Sequence, residues 1–134
     1  MNLDESGEKR NNLTKFVLLE GNHIMPKFIT IGYGDQAGYD RTPQPVRDAA
    51  HEQDAKLRSE GAIVGIAGKP VQVRNPEGAH LESVSGSFLS SAMPVAGFAV
   101  IEAAGLAEAI DKVARTPCAV AYGVVEVWPL ETGE

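Results

Sequence analysis

Two amphipathic helical patterns, each set between segments with the composition of β-strands, constrain the fold of this 134-residue chain more than any other feature. The first pattern begins near Thr42, continues to about Glu60 and stops at Gly61. The second reads GLAEAIDKVARTP and ends at Pro117. Helices of this kind have one apolar face, which must pack against another layer of structure. The chain is therefore predicted to be an α+β protein in which both helices lie on a sheet.

The first helix is predicted to have Thr42 as its N-cap and Pro43 in its first turn, since both residue types suit free helical N–H positions. Gly61 is typical of the position that ends a helix. The apolar face predicted for this helix consists of Val46, Ala49, Ala50 and Leu57, with Gln53 in the same stripe. The face predicted for the second helix consists of Leu106, Ala109, Ile110 and Val113, beside a Glu108–Lys112 pair at i,i+4.

Strands are predicted at KFITIGY (27–33), AIVGIAG (62–68), GFAVIE (97–102) and AVAYGVVEVWPL (119–130). VQVR and AHLESV form a predicted hairpin around the turn NPEG, and GDQAGYDRTP is predicted to be a loop. The order strand, helix, strand, hairpin, strand, helix, strand is a split βαβ plan with a mainly antiparallel sheet and two helices on one face. Because the other face would be bare and apolar, it implies a partner subunit or a ligand.

Composition argues against several classes of protein. The net charge is −6 and no basic stripe is interleaved with aromatic residues, so no nucleic acid is expected as a partner. No apolar run approaches the roughly 20 residues that span a bilayer, so no membrane is expected either. One cysteine and three scattered histidines have no metal-ligand spacing, so neither a metal nor a cofactor is expected. The single cysteine cannot form an internal disulfide, which fits a cytoplasmic protein.

Residues 1–24 are predicted to be an extension that contributes little to the fold. The peptide EGNHI before Met25 matches what a translated bacterial ribosome-binding site would encode, which makes Met25 an alternative start. A genuine N-terminal extension with few packing contacts is the other interpretation.

Six segments resemble the YCII-related family in its DGPF branch, over about residues 25–130: MPKFITIGYGD, LRSEGAIVGIAG, VQVR, SGSF, GFAVIEAAGLAEAIDKVARTP and GVVEVWPL. The resemblance implies a YCII-related domain over residues 25–131 with a ferredoxin-like fold. It also implies a homodimer in which two sheets form an α+β barrel, with one cleft in each subunit. Most members have no assigned reaction, but relatives with this barrel include muconolactone isomerase-like enzymes and a dehydrochlorinase of chlorinated aromatics.

The segment SGSF corresponds to the Asp-Gly-Pro-Phe signature of the branch. Gly86 and Phe88 are kept, whereas Ser85 and Ser87 replace the aspartate and the proline. The resemblance implies that Ser85, Gly86, Ser87 and Phe88 line the cleft, and the lost carboxylate implies recognition of ligand shape more than charge. The alternative is a plain hairpin corner.

Many YCII-type members outside this branch have a histidine in the first helix and an aspartate before a proline after the second, which correspond to Ala50 and Thr116 here. His51 lies one residue later, with Asp54 three residues further on. These two residues are either part of a solvated polar stripe with Arg47 and Arg58, or a catalytic His–Asp pair at the helix edge.

Five further residues are candidates for the site or for packing. Tyr33 and Asp35 match a strand end near the cleft of the family and are predicted to bind ligand, although an aspartate after a strand also serves as a turn residue. Cys118 is interpreted as a buried, unreactive thiol. Tyr122 and Trp128 are predicted on the last strand, in the core or in a dimer interface.

Two functions remain open at this point. The first is a dimeric small-molecule-binding protein with an apolar cleft. The second is a lyase or isomerase that moves a proton on a small cyclic or aromatic substrate. Titratable groups inside the cleft would favour the enzyme.

Overall fold

The computed structural model describes residues 25–131, so the predicted extension at 1–24 lies outside the described residues. The strands are β1 (Lys27–Tyr33), β2 (Ile63–Ile66), β3 (Val71–Arg74), β4 (Glu82–Ser85), β5 (Val95–Glu102) and β6 (Val124–Pro129). The helices are α1 (Gln36–Asp40), α2 (Gln44–Ser59), α3 (Leu106–Val113) and α4 (Pro117–Val120), and a single 3₁₀ turn covers Pro76–Gly78. The predicted strands and both long helices are confirmed, with shifts of a few residues at most of their ends. The prediction of strand over residues 119–123 is wrong, because α4 ends at Val120 and β6 begins only at Val124.

Four strands form one antiparallel sheet in the order β2–β5–β1–β6. The central strand β1 pairs with β5 and β6, so that Phe28 lies opposite both Ile101 and Pro129. β3 and β4 form a separate antiparallel hairpin, in which Val71 lies opposite Ser85. The predicted antiparallel α+β architecture is confirmed.

The core lies on one face of the sheet. Phe28 and Ile101 contribute from β1 and β5, and Ala109 and Val113 contribute from α3. α2 lies beside α3, and a hydrogen bond joins them: the Gln53 side-chain amide donates to the carbonyl oxygen of Lys112 over 2.7 Å. Burying these apolar side chains provides the main driving force for joining helices to sheet.

The segment predicted as a loop after β1 contains the short helix α1. The Asp35 carboxylate accepts from the backbone N–H of Gly38 over 2.9 Å and so caps this helix. Thr42 does not cap α2, since its hydroxyl donates back to the carbonyl oxygen of Gly38 over 2.8 Å. α2 instead begins after Pro43, whose fixed φ suits a helix start.

The buried faces of the two long helices are narrower than predicted. On α2 only Ala50, Gln53 and Leu57 are buried, while Val46 and Ala49 are exposed. On α3 only Ala109 and Val113 are buried, and Leu106 and Ile110 are about half exposed.

Lys112 does not pair with Glu108, so this part of the prediction is wrong. Its ammonium lies 3.8 Å from a carboxylate oxygen of Glu60 and donates to the Glu102 carbonyl. Glu108 accepts from the backbone N–H of Ala104 instead. The two Lys112 contacts join α3 to the end of α2 and to β5, whereas the Glu108 contact lies at the start of α3.

The other face of the sheet, termed the open face, is apolar and accessible. Strand pairing places Ile31 and Phe98 on it, opposite each other. Its members are Ile29, Ile31, Ile63, Phe98, Val100, Val124, Glu126 and Trp128, joined at one end by Tyr33. Ile63 is 71% exposed and Trp128 is 56% exposed, so within the described residues this face is largely uncovered.

Tyr122 was predicted on the last strand, but it precedes β6 and is exposed. Neither Tyr122 nor Trp128 therefore lies in the core of a single chain.

Candidate functional site

A cavity of about 550 Å³ lies between the helices and the core-side face of the sheet. The sheet contributes its floor, which includes Thr30, Gly32, Val64, Gly97, Ala99 and Val125. α2 contributes His51, Asp54, Leu57 and Arg58 to one wall. The segment around α1 contributes Asp35, Gln36 and Tyr39, and the segment of α4 contributes Thr116, Pro117, Cys118 and Ala121. The volume falls in the range of small-molecule sites.

Small residues create this space, and close backbone approaches set its shape. A side chain at Gly32 would meet the Cys118 Sγ at 2.9 Å, so Cys118 lies directly over the strand. A side chain at Gly38 would collide with the carbonyl oxygen of Ala121, so α1 packs backbone to backbone beside α4. The position of Gly34 is less crowded, at 3.7 Å from the same sulfur.

Asp54 is the half-buried carboxylate of the wall. Burial raises its pKa above the ordinary value, while the positive charges of Arg58 and His51 act in the opposite direction. The spacing of 51, 54 and 58 explains why these three residues share one helix face. The predicted neighbourhood of His51 and Asp54 is therefore found, and both residues line the cavity. Their catalytic roles remain predictions.

His51 is held by a residue that the sequence did not single out. Its Nε2 lies 2.9 Å from the Tyr39 hydroxyl, and the two rings meet edge to face with centroids 6.0 Å apart. The Arg47 guanidinium lies 4.8 Å from the centre of the Tyr39 ring, within cation–π range. Tyr39 thus connects α1 to α2 at the mouth of the cavity.

Asp35 lines the cavity as predicted for the strand end, but its carboxylate also caps α1. Its first identifiable role is therefore structural, because it holds the helix that carries Tyr39. The interpretation of Asp35 as a turn residue agrees with this contact, and ligand binding by Asp35 remains a prediction.

Cys118 is partly buried at the floor of the cavity. Burial raises the pKa of its thiol, and the nearby negative charge of Asp54 raises it further. Thiolates are the reactive form of cysteine, so this side chain is a poor nucleophile. The prediction of an unreactive thiol agrees with this environment, although the side chain lines a cavity.

Tyr33 lies on the opposite side of the sheet from the cavity. Its hydroxyl donates to Oε1 of Glu126 over 2.8 Å. This hydrogen bond, together with burial and the charge of Glu126, raises the pKa of the Tyr33 phenol above its usual range. A role for Tyr33 in ligand binding would require a site on the open face, and it stays a prediction.

The predicted ligand-binding residues Ser85, Gly86, Ser87 and Phe88 are all exposed and do not line this cavity. Phe88 is 82% exposed, and the Ser87 hydroxyl is engaged with the backbone of Leu89. Gly86 has φ +106°, a left-handed conformation that glycine adopts without strain, so it allows the turn at this corner. Within one chain the segment is the corner that follows β4, and ligand binding by these four residues remains a prediction.

Tyr39, Arg58 and Cys118 are the main cavity residues that pattern analysis did not assign to a site. Arg58 could have been found from its position one turn after Asp54. Tyr39 could have been found only by recognising Asp35 as a helix N-cap, which predicts a helix in the segment that follows.

A second depression, of about 380 Å³, lies between α2 and α3. It is lined mainly by charged side chains, including Lys56, Glu60, Glu108 and Lys112. Several of these charges are already engaged with each other or with the backbone, as in the Lys112–Glu60 pair. The first cavity is therefore the better candidate site.

Over residues 25–131, no group of three or more His, Cys, Asp or Glu residues is arranged to hold a metal ion. Over the same residues, no helix has the length and apolar character needed to cross a membrane.

Comparison of the chain with protein-family models gave no match. Comparison with curated proteins gave no significant match either.

Proposed function

We propose that this protein binds a small molecule in the cavity between α2 and the sheet. The observation that carries the proposal is the composition of the lining, in which an apolar floor faces a wall with Asp54, His51 and Arg58. Sites with a mostly apolar surface and a few convergent polar groups are typical of small-molecule binding. The floor would hold the body of the ligand, and the wall would orient its polar end.

We further propose that the chain is a YCII-related protein with a ferredoxin-like fold. The six segments named above support the family, and the sheet order β2–β5–β1–β6 with helices after β1 and β5 supports the fold plan.

A homodimer with two sheets packed face to face is part of the same proposal. The support is the open face, which exposes apolar side chains such as Ile63, Phe98 and Trp128. Exposed apolar patches of this kind mark interaction surfaces. A second copy would cover one such face with another and form the barrel, while the cavity on the helix side of each sheet would remain accessible.

A second candidate function is proton transfer of the lyase or isomerase type. Asp54 supports it, because a carboxyl whose pKa is raised by burial is a better general base than an exposed one. Asp54 would take a proton from the substrate, and His51 would stabilise the charge that forms or return a proton. Binding without turnover is the outcome that would separate the first function from the second.

The binding function can be tested by NMR titration of the full chain with a set of small phenols and lactones. Backbone amide signals of Gly32, Gly34 and Gly97 should shift for any compound that enters the cavity. Gly34→Val should weaken binding, because its methyl groups would enter the cavity beside Cys118. Gly68→Val is the matched control, since a side chain there meets nothing within 4 Å and lies outside the cavity. Equal binding by both variants would contradict the proposal.

A further inference from the structure

The Asp54 carboxylate has no hydrogen-bond donor among the hydrogen bonds formed within residues 25–131, although it is half-buried and lines the cavity. The nearby His51, three residues earlier on α2, is already bonded to Tyr39. The oxygens of Asp54 are accessible from the cavity, and an ionised carboxylate accepts hydrogen bonds, so a donor on the ligand can bind there.

The charges around Asp54 disfavour a charged ligand of either sign. Arg58 lies on the same face of α2 as Asp54 and would repel a cation. Asp54 itself, with Asp35 in the segment around α1, would repel an anion. Because these charges lie close to one another, they offset each other best when the ligand brings no charge of its own.

Arg58 offers donors beside the Asp54 acceptor. It lies one helical turn further along α2, its charge acts on Asp54, and it forms no ion pair within the described part of the chain. Its guanidinium has only N–H donors, which a carbonyl oxygen can accept. The Asp54 acceptor and the Arg58 donors lie on adjacent turns of α2. They match a ligand group in which an N–H or O–H donor lies beside a carbonyl acceptor.

We infer that the ligand of this cavity is an uncharged molecule with an N–H or O–H beside a carbonyl, such as an amide or a lactam, on an apolar body. The N–H donates to Asp54, and the carbonyl accepts from Arg58. The apolar body lies on the floor against Leu57, Val64, Ala99 and Val113, all of which line the cavity. This inference rests on the proposed binding function and specifies the class of ligand.

The test compares three planar bicyclic probes by NMR titration at neutral pH. 2-Quinolinone carries the N–H beside a carbonyl, coumarin replaces that N–H by a ring oxygen, and 2-naphthoate carries an anionic carboxylate. 2-Quinolinone should bind about tenfold or more tightly than coumarin, as expected for one hydrogen bond to a charged acceptor. It should also bind more tightly than 2-naphthoate.

Asp54→Leu removes the acceptor, and it should reduce the preference of 2-quinolinone over coumarin to about one. Glu52→Leu is the matched control, because Glu52 lies on the same helix, is exposed and does not line the cavity. It should keep the preference unchanged. Amide spectra of both variants show directly whether the fold is retained.

Equal binding of 2-quinolinone and coumarin, or tighter binding of 2-naphthoate, would overturn the ligand class while the binding function stands. The same conclusion follows if 2-quinolinone fails to bind but other compounds of the phenol and lactone set shift the cavity signals. If no compound of either set shifts those signals, the binding function is wrong as well.

Discussion

The Tyr33 hydroxyl donates to Oε1 of Glu126 over 2.8 Å, and the indole N–H of Trp128 approaches the same oxygen at 3.2 Å. Both donors come from the same chain as the carboxylate. Glu126 is thus provided with donors on the open face without help from a partner. A carboxylate that is already hydrogen-bonded costs less to bury than a free one. The open face can therefore be covered by apolar surface even though it contains an acidic residue.

Ile63→Glu is expected to convert the proposed dimer into a monomer. Ile63 is 71% exposed on the open face, so a charge there costs a single chain little, whereas a face-to-face interface would have to bury it. Sedimentation equilibrium at micromolar concentration should give the mass of one chain for this variant and of two for the original protein.

Ile110→Glu is the control for that experiment, since Ile110 is 51% exposed on α3, on the other side of the sheet. It should remain dimeric. If both variants are dimers, or if the original protein is a monomer, packing through the open face is excluded.

The Tyr33–Glu126 hydrogen bond should make stability fall at high pH. The pKa of Tyr33 is raised in the folded protein, so the folded state favours the neutral phenol and its contribution is complete below the unfolded value of about 10. It is lost as the pH rises through the folded value. The melting temperatures of Tyr33→Phe and of the original protein should therefore differ at pH 8. They should converge at pH values above the pKa of Tyr33 in the folded protein. A constant difference across this range would show that the hydrogen bond is not linked to the titration.

Asp54→Asn should raise the melting temperature at neutral pH. Burial raises the pKa of Asp54 in the folded protein, so its favourable contribution is complete below the unfolded value of about 3.9 and is lost as the pH rises through the folded value. The amide avoids that loss, because it never ionises. The gain should shrink as the pH falls towards 4, which thermal unfolding followed by circular dichroism can measure. A gain that does not depend on pH would contradict the role of ionisation.

Gly38→Ala should destabilise the protein by about 1–3 kcal/mol, the usual cost of overpacking. The added methyl would meet the Ala121 carbonyl oxygen, so α1 must move away from α4. Tyr39 would move with α1, and the signals of His51 should change in a histidine-selective NMR spectrum.

Gly65→Ala serves as the comparison for Gly38→Ala, because a side chain there meets nothing within 4 Å. Its free energy of unfolding should lie within about 0.5 kcal/mol of that of the original protein. Equal effects of the two substitutions would argue against the close approach of α1 and α4.

The strands and long helices could be predicted because they extend over enough residues for their periodicity to show. α1 is only five residues long and could not be predicted in this way. Its position depends on the packing of Gly38 against Ala121, which is a tertiary contact.

The candidate site was predictable only in part. His51 and Asp54 share a helix turn, so their joint position followed from local spacing. Tyr33 was predicted to lie near the cleft. Side chains alternate along a strand, so Tyr33 lies on the same side of β1 as Ile29 and Ile31, which is the open face. The position of Ser85 and Phe88 depends on where the separate hairpin of β3 and β4 lies beside the main sheet, and no local pattern determines that placement.

Cys118 should react slowly with iodoacetamide in the folded protein. Burial and the charge of Asp54 raise the pKa of its thiol, so little of the reactive thiolate forms at pH 7.5. Alkylation followed by mass spectrometry should be about tenfold or more slower than in a denaturant, where the thiol has its ordinary pKa of about 8.5. The rate should increase with Asp54→Asn, which removes the repelling charge, and should decrease when a ligand fills the cavity above the sulfur. Reaction in the folded protein as fast as in the denaturant would show that Cys118 does not form the floor of a partly closed cavity.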